Sequence, residues 1–168
     1  PLFSELNFGG VAIAHNGNLT NTQRLKKQLI DSGAIFQSTS DTEVVLHLLS
    51  TAKGDFLDRL NYSLQSISGA YSFLLMTKNS LIGVRDPYGI RPLVLGKLGN
   101  SYVLSSESCG LDIIGAQLIR DVEPGEILII QNNKIKSIKP FKKTQLRPCL
   151  FEYIYFSRPD SIFEGKNV

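Results

Sequence analysis

Asn16 and Gly17 are the residues of this sequence best placed to do chemistry. They follow an apolar run, Gly10-Val11-Ala12-Ile13-Ala14, inside the stretch Ala14-His15-Asn16-Gly17-Asn18, and a helical pattern comes next. An asparagine side-chain amide beside a glycine backbone N–H, at the end of a buried strand, supplies two fixed donors that can converge on one developing oxyanion. The chemistry this suggests is acyl transfer. Asn-Gly is also a common turn dipeptide, because both residues tolerate positive φ, and the local sequence taken alone favours that plainer reading.

The elements around this pair follow from periodicity. Leu25, Leu29 and Ile30 recur at helical spacing opposite Arg24, Lys26, Lys27 and Gln28, and Gly33 ends the run, which predicts an amphipathic helix. Ser40-Asp41-Thr42-Glu43 has the form of a capping box ahead of a second helix through Val44, Val45, Leu48 and Leu49. A third helical pattern, Phe56, Leu57, Leu60, Leu64 and Ile67, stops at Gly69. From Ala70 onward the period shortens to strands, separated by Lys78-Asn79, Asp86-Pro87-Tyr88-Gly89, Gly99-Asn100, Pro124-Gly125 and Asn132-Asn133. A short helix near Cys109 to Ile114 interrupts them. Helices early and antiparallel hairpins later predict an α+β fold in layers. Tyr71 to Met76 is apolar on both sides, so at least one sheet should be covered on both faces.

Composition narrows the function. The 168 residues fit one domain, and 18 basic against 15 acidic residues is too mild a balance to make nucleic acid the main partner. Lys134, Lys136, Lys139, Lys142, Lys143 and Arg147 form a basic stretch best read as a solvated hairpin edge, where lysines discourage strand addition. The two cysteines, Cys109 and Cys149, form no CxxC pair, disulfide framework or complete metal site. No signal-peptide pattern or bilayer-length apolar run is visible, so a cytoplasmic protein with no membrane partner is expected.

Five segments carry a family resemblance in order along the whole chain. They are Ile13-Ala14-His15-Asn16-Gly17-Asn18-Leu19, Ser38 to Glu43, Val84 to Leu93, Ser105-Ser106-Glu107-Ser108-Cys109, and Phe151 to Ser161. The first three kinds of segment recur across class II glutamine amidotransferases. The last, reading EYIYFSRPDS from Glu152, is more specific, and through it the chain resembles the glutamine phosphoribosylpyrophosphate amidotransferases. The resemblance implies an N-terminal nucleophile hydrolase fold, an αββα sandwich, incomplete because its leading strands would precede Pro1. It assigns residues 1–150 to a partial class II glutaminase domain and 151–168 to the start of a connection to a phosphoribosyltransferase domain. Rival readings are another class II amidotransferase, such as a glucosamine-6-phosphate or asparagine synthase, and a non-catalytic amino-acid-binding module.

What the resemblance implies for activity is hydrolysis of glutamine by an amino-terminal cysteine, with ammonia passed to phosphoribosylpyrophosphate to give 5-phosphoribosylamine, a step of purine synthesis. Asn16 and Gly17 then resemble the oxyanion hole, and Asp41 the carboxylate that pairs with the substrate α-ammonium. For Asp41 the plainer reading is a favourable residue in a helix first turn. His15 is left without a catalytic role, and Glu107 without any. Arg85, Asp86 and Arg91 read at least as well as a charged turn network as an anion site. Cys109 is read as a buried structural thiol. Cys149 takes the place of one iron–sulfur ligand in the cluster-containing branch of the family, with three further ligands beyond Val168, and an inert buried thiol is the competing reading. The intact enzyme is thus expected to use Mg²⁺ and, in that branch, a 4Fe-4S cluster, and to be a homo-oligomer. Residues 1–168 alone, without the nucleophile, are expected to bind no cofactor and to be inactive.

Overall fold

The computed structural model describes residues 1–168 and shows an antiparallel α+β sandwich in four layers. Helices α1 (Thr22–Asp31), α2 (Thr42–Thr51) and α3 (Phe56–Ser66) form the first layer. Beneath them lies a six-stranded sheet in the order β1-β2-β3-β4-β8-β9, built from β1 (Leu2–Leu6), β2 (Gly9–Leu19), β3 (Gly69–Met76), β4 (Leu81–Arg85), β8 (Ile127–Gln131) and β9 (Lys134–Ile138). The third layer is a three-stranded sheet, β6-β5-β7, from β5 (Val94–Leu98), β6 (Ser101–Ser105) and β7 (Gln117–Asp121). Helix α4 (Ser108–Ile113) closes the far side. A small hairpin, β10 (Ile162–Phe163) and β11 (Lys166–Asn167), ends the chain.

Side-chain alternation along the central strands explains the layering. In β3 the buried Tyr71, Phe73 and Leu75 join the helix-side core, whereas Leu74 packs against the core between the sheets. β8 divides in the same way, with Ile127 and Ile129 under the helices and Leu128 and Ile130 between the sheets. Such strands read as continuous apolar runs because both faces are covered. Val94, Leu111 and Ala116 form a third core beneath α4. Gly96 permits that approach, since a Cβ there would stand 2.7 Å from a Leu111 methyl.

Two local expectations are corrected. Asn16-Gly17 is no turn: β2 runs on through Leu19, with Asn16 paired to Ser72 and Gly17 to Tyr71. The strand-to-helix turn comes later, at Thr20 and Asn21. Nor do Ser40 and Glu43 form a capping box. Glu43 turns away from the helix start and accepts from the Gln37 N–H (2.7 Å), the Ser38 N–H (2.8 Å) and the Ser38 hydroxyl (2.6 Å), fastening the preceding loop. The reciprocal box occurs instead at Asp55 and Asp58, at the head of α3. Asn132 and Asn133 both take positive φ, as the tight β8–β9 hairpin demands. β9 is the sheet edge, and its Lys134 and Lys136 are exposed.

Glu126 is sealed from water and takes a two-pronged bond from Arg120 (2.7 and 2.8 Å) plus the Glu123 N–H (2.8 Å). Burial alone would raise its pKa. The Arg120 fork, the Ser137 hydroxyl and the Glu123 N–H outweigh burial and hold the carboxyl below the usual range. Because the folded pKa is depressed, this stabilisation is present above the unfolded glutamate pKa and is lost as pH falls through the folded value. Glu126→Gln is expected to cost about 1–3 kcal/mol at neutral pH and nothing in strong acid, measured by urea unfolding across a pH series.

Candidate active site

The site is assembled at the far end of β2, where two sheets and the loop after β4 meet. A buried carboxylate shapes that loop. Asp86 is fully enclosed and accepts from the backbone N–H groups of Tyr88 (2.9 Å), Ile90 (2.9 Å), Arg91 (3.2 Å) and Tyr71 (3.4 Å). Beside it Arg85, equally enclosed, donates to the carbonyls of Arg91 (2.8 Å), Val122 (2.8 Å) and Gly89 (3.0 Å), and pairs with Glu164 at 2.7 Å. Arg85 and Asp86 therefore form a charged turn network, one of the two readings their sequence left open. Arg91 does not end there.

Arg91 extends from the loop to Asn16. Its Nε donates to Asn16 Oδ1 at 3.0 Å, and its Nη2 makes a second bond to the same oxygen. Asn16 Nδ2 donates to Ser106 Oγ at 3.1 Å. The other terminal nitrogen of Arg91, Nη1, meets Glu152 Oε1 at 2.6 Å, and Glu152 Oε2 accepts from the Ser157 hydroxyl at 3.0 Å. Burial pushes the Glu152 carboxyl upward, against the pull of Arg91. Ser106, Asn16, Arg91 and Glu152 thus form a continuous polar chain from the bend after β6 through β2 to the C-terminal segment. The alternation of β2 explains the reach: Val11 and Ile13 face the helices, so Asn16 faces the second sheet.

His15 and Asp41 lie on the helix side. Asp41 Oδ2 accepts from the Leu19 N–H at 2.9 Å, and Oδ1 stands 3.3 Å from His15 Nδ1. Asp41 therefore closes the end of β2 onto the head of α2 while its side chain stays 23% exposed, open to a further partner. Burial lowers the His15 pKa more than Asp41 raises it, and the ring packs on Phe73 with centroids 4.6 Å apart. His15 is a buried, neutral contact between strand and helix. Gly17 sits at φ +146°, and a Cβ there would collide with the Ala70 carbonyl oxygen.

The C-terminal segment straps across the second sheet. Residues Glu152–Phe156 form a π-type turn, followed by Arg158 and Ser161, whose N–H and hydroxyl donate to Glu107 Oε2 at 2.9 and 3.0 Å. Glu107, without a role from sequence, anchors this strap. Cys109 is buried and donates to Glu107 at 3.5 Å, and Cys149 is half-buried. No group of three or more His, Cys, Asp or Glu side chains is placed to hold a metal ion. Sequence reading missed Arg91 and Ser106 as partners of Asn16, and Glu152 as the partner of Arg91, because the first two contacts span 75 and 90 residues and the third links a loop to the C-terminal segment. The available signal was the charge within Glu152-Tyr153-Ile154-Tyr155-Phe156, an acid without an obvious partner in an aromatic run.

The four layers, with Asn16 facing the second sheet from β2, meet the expectation of an αββα sandwich. Residues 1–112 match the family model of the glutamine amidotransferase domain, and the chain belongs to that family. Over its whole length it is similar to amidophosphoribosyltransferases: 53% identical to that of Rhizobium etli, over 100% of this chain and 35% of the relative, and 48% identical to that of Bacillus subtilis, over 99% and 35%. The chain thus spans about a third of the length of the curated relatives it matches. The solved structure of glutamine phosphoribosylpyrophosphate (PRPP) amidotransferase from B. subtilis, complexed with ADP and GMP, superposes with a TM-score of 0.96 at 46% identity, covering 99% of this chain and 37% of that one. A glutamine aminotransferase class-II domain protein from Silicibacter pomeroyi shares the fold, with a TM-score of 0.57 at 14% identity, covering 79% of this chain and 67% of that one. No helix is long and apolar enough to cross a membrane.

Gly17→Ala is expected to lower stability by about 1–3 kcal/mol through backbone strain, read as a reduced urea midpoint. Gly99→Ala, where positive φ is the only obstacle and no atom lies within 4 Å of the new methyl, should cost less.

Proposed function

We propose that this chain forms part of the glutaminase unit of an amidophosphoribosyltransferase, which releases ammonia from glutamine and delivers it to phosphoribosylpyrophosphate. The observation that carries the reading is the Asn16 amide. Its oxygen is taken up by Arg91, so its N–H groups face away, one of them toward Ser106. A thiolate supplied from outside residues 1–168 would attack the glutamine side-chain carbonyl carbon. The resulting tetrahedral oxyanion would accept from Asn16 Nδ2 and the Gly17 N–H, which are bound in place before the charge develops. Collapse breaks the C–N bond and releases ammonia, and water then cleaves the thioester to glutamate.

Asp41 pairs with the substrate α-ammonium in this reading, while its second oxygen keeps the Leu19 N–H. The two duties are compatible, since a carboxylate offers several acceptor positions. Cys149 would be one ligand of an iron–sulfur cluster only if other cysteines came to it from elsewhere in the protein. The work would be done in a reducing, cytoplasm-like compartment, where Cys109 and Cys149 stay unpaired.

The test uses the full-length protein that contains this segment. Supplied with glutamine and phosphoribosylpyrophosphate, it should form glutamate and 5-phosphoribosylamine together. Asn16→Ala should lower the glutaminase kcat about 10²- to 10³-fold, while Asp41→Asn should act mainly by raising the KM for glutamine. Glutamate release that survives Asn16→Ala would overturn the oxyanion assignment. Residues 1–168 expressed alone should release no glutamate from glutamine.

A further inference from the structure

An asparagine amide is nearly the same shape when turned end for end, but only one of its two orientations can stabilise an oxyanion. The N–H₂ end donates, and the carbonyl end would repel developing negative charge. We infer that Arg91 and Glu152 are positioning residues that decide which end of the Asn16 amide faces the reacting centre. The inference rests on the glutaminase reading of Asn16 and deepens it.

A guanidinium has donors and no acceptor, so the atom of Asn16 facing Arg91 has to be the oxygen. Two of the guanidinium nitrogens, Nε at 3.0 Å and Nη2, bind that single oxygen. The opposite end of the amide reaches Ser106 Oγ at 3.1 Å with one N–H and keeps the other free. Arg91 is in turn held on every side. Its backbone N–H is taken by Asp86 at 3.2 Å and its carbonyl by Arg85 at 2.8 Å. Its remaining nitrogen, Nη1, is matched to the buried Glu152 at 2.6 Å, and its guanidinium lies 5.1 Å from the centre of the Phe156 ring. Without Glu152, the Nη1 edge would lose its counter-charge and the fork could rotate away from Asn16. A lysine at position 91 would carry the charge but not the two-pronged geometry.

The consequence is a defined order of dependence: Glu152 sets Arg91, Arg91 sets Asn16, and Asn16 meets the substrate. In the full-length protein, Arg91→Lys should lower the glutaminase kcat at least tenfold while the KM for glutamine stays within about twofold, because ground-state binding through Asp41 is untouched. Glu152→Gln should act in the same direction but less, and Glu152→Asp should recover part of the loss. The double variant R91K/E152Q should be no slower than R91K, since both act through one amide. Independently of activity, the side-chain ¹H–¹⁵N resonances of Asn16 in asparagine-labelled protein should shift in Arg91→Lys and Glu152→Gln. Wild-type kcat in Arg91→Lys, losses that multiply in the double variant, or unmoved Asn16 resonances would overturn the inference while leaving the glutaminase reading intact. Should the wild-type protein lack glutaminase activity, that reading falls, and the Asn16 resonances alone decide whether Arg91 and Glu152 orient the amide. If Glu152→Gln does not fold, Arg91→Lys supplies both readouts.

Discussion

A carboxylate removed from water must find donors, and in this protein the search is settled by the chain turning back on itself. Asp86 is sealed within the sandwich, and four backbone N–H groups, from Tyr71, Tyr88, Ile90 and Arg91, converge on it. An unpaired charge at that depth would cost several kcal/mol, which rules out any looser path for residues 86–91. The turn is therefore dictated by electrostatics more than by Pro87 or Gly89. Because the Arg91 N–H is one of the four donors, the loop that satisfies Asp86 also delivers Arg91 to a fixed place above β2. Arg85 completes the arrangement from the neighbouring position, tying Gly89, Arg91 and Val122 by their carbonyls.

Everything at the site then follows from two periodicities meeting at that loop. Along β2 the alternation of faces sends His15 toward the helices and Asn16 toward the second sheet, so adjacent residues serve different layers. His15 becomes an interior contact with Asp41 and Phe73. Asn16 turns its amide toward the second sheet, and that amide needs partners there as Asp86 does. Ser106, just after β6, and Arg91 from the loop provide them. Gly17 follows without a side chain, so β3 approaches closely at Ala70, and Gly17 itself is exposed.

The layers themselves were legible from residue patterns, because burial leaves a periodic trace. Leu25 and Leu29, Val45 and Leu49, Leu60 and Leu64, and the doubly apolar β3 announced three helices over a sheet covered on both faces. Asn132-Asn133 was equally clear, since two successive positive φ values are a local demand. Reasoning failed where a local motif had a stronger distant competitor. Ser40 to Glu43 has capping-box letters, yet Glu43 gains three donors from Gln37 and Ser38 and abandons the cap. Asn16-Gly17 has turn letters, yet strand pairing with Tyr71 and Ser72 outweighs that tendency. Glu152 and Arg91 could not be joined by spacing at all, because no period links a loop to a segment sixty residues on. Asn16 and Gly17 stood out by residue type and position and Asp41 by resemblance, and their partners emerged only in three dimensions.

The ion pair between Arg91 and Glu152 is a costly way to fill the space above β2. Buried pairs of this kind often contribute little net stability compared with apolar residues of the same volume. Packing alone, however, cannot tell the two ends of an amide apart, because oxygen and NH₂ differ little in size. Discrimination requires a neighbour that is purely donor or purely acceptor, and among uncharged side chains only the indole of Trp, which this chain lacks, is donor without acceptor. A guanidinium meets the requirement with several N–H groups in one plane, and once buried it requires a carboxylate in turn. Glu152 is therefore the electrostatic consequence of choosing Arg91, just as Arg91 is the consequence of needing Asn16 to face one way. Placing that carboxylate on the C-terminal strap, and not on the sandwich, makes the orientation of Asn16 depend on the strap being seated through Glu107.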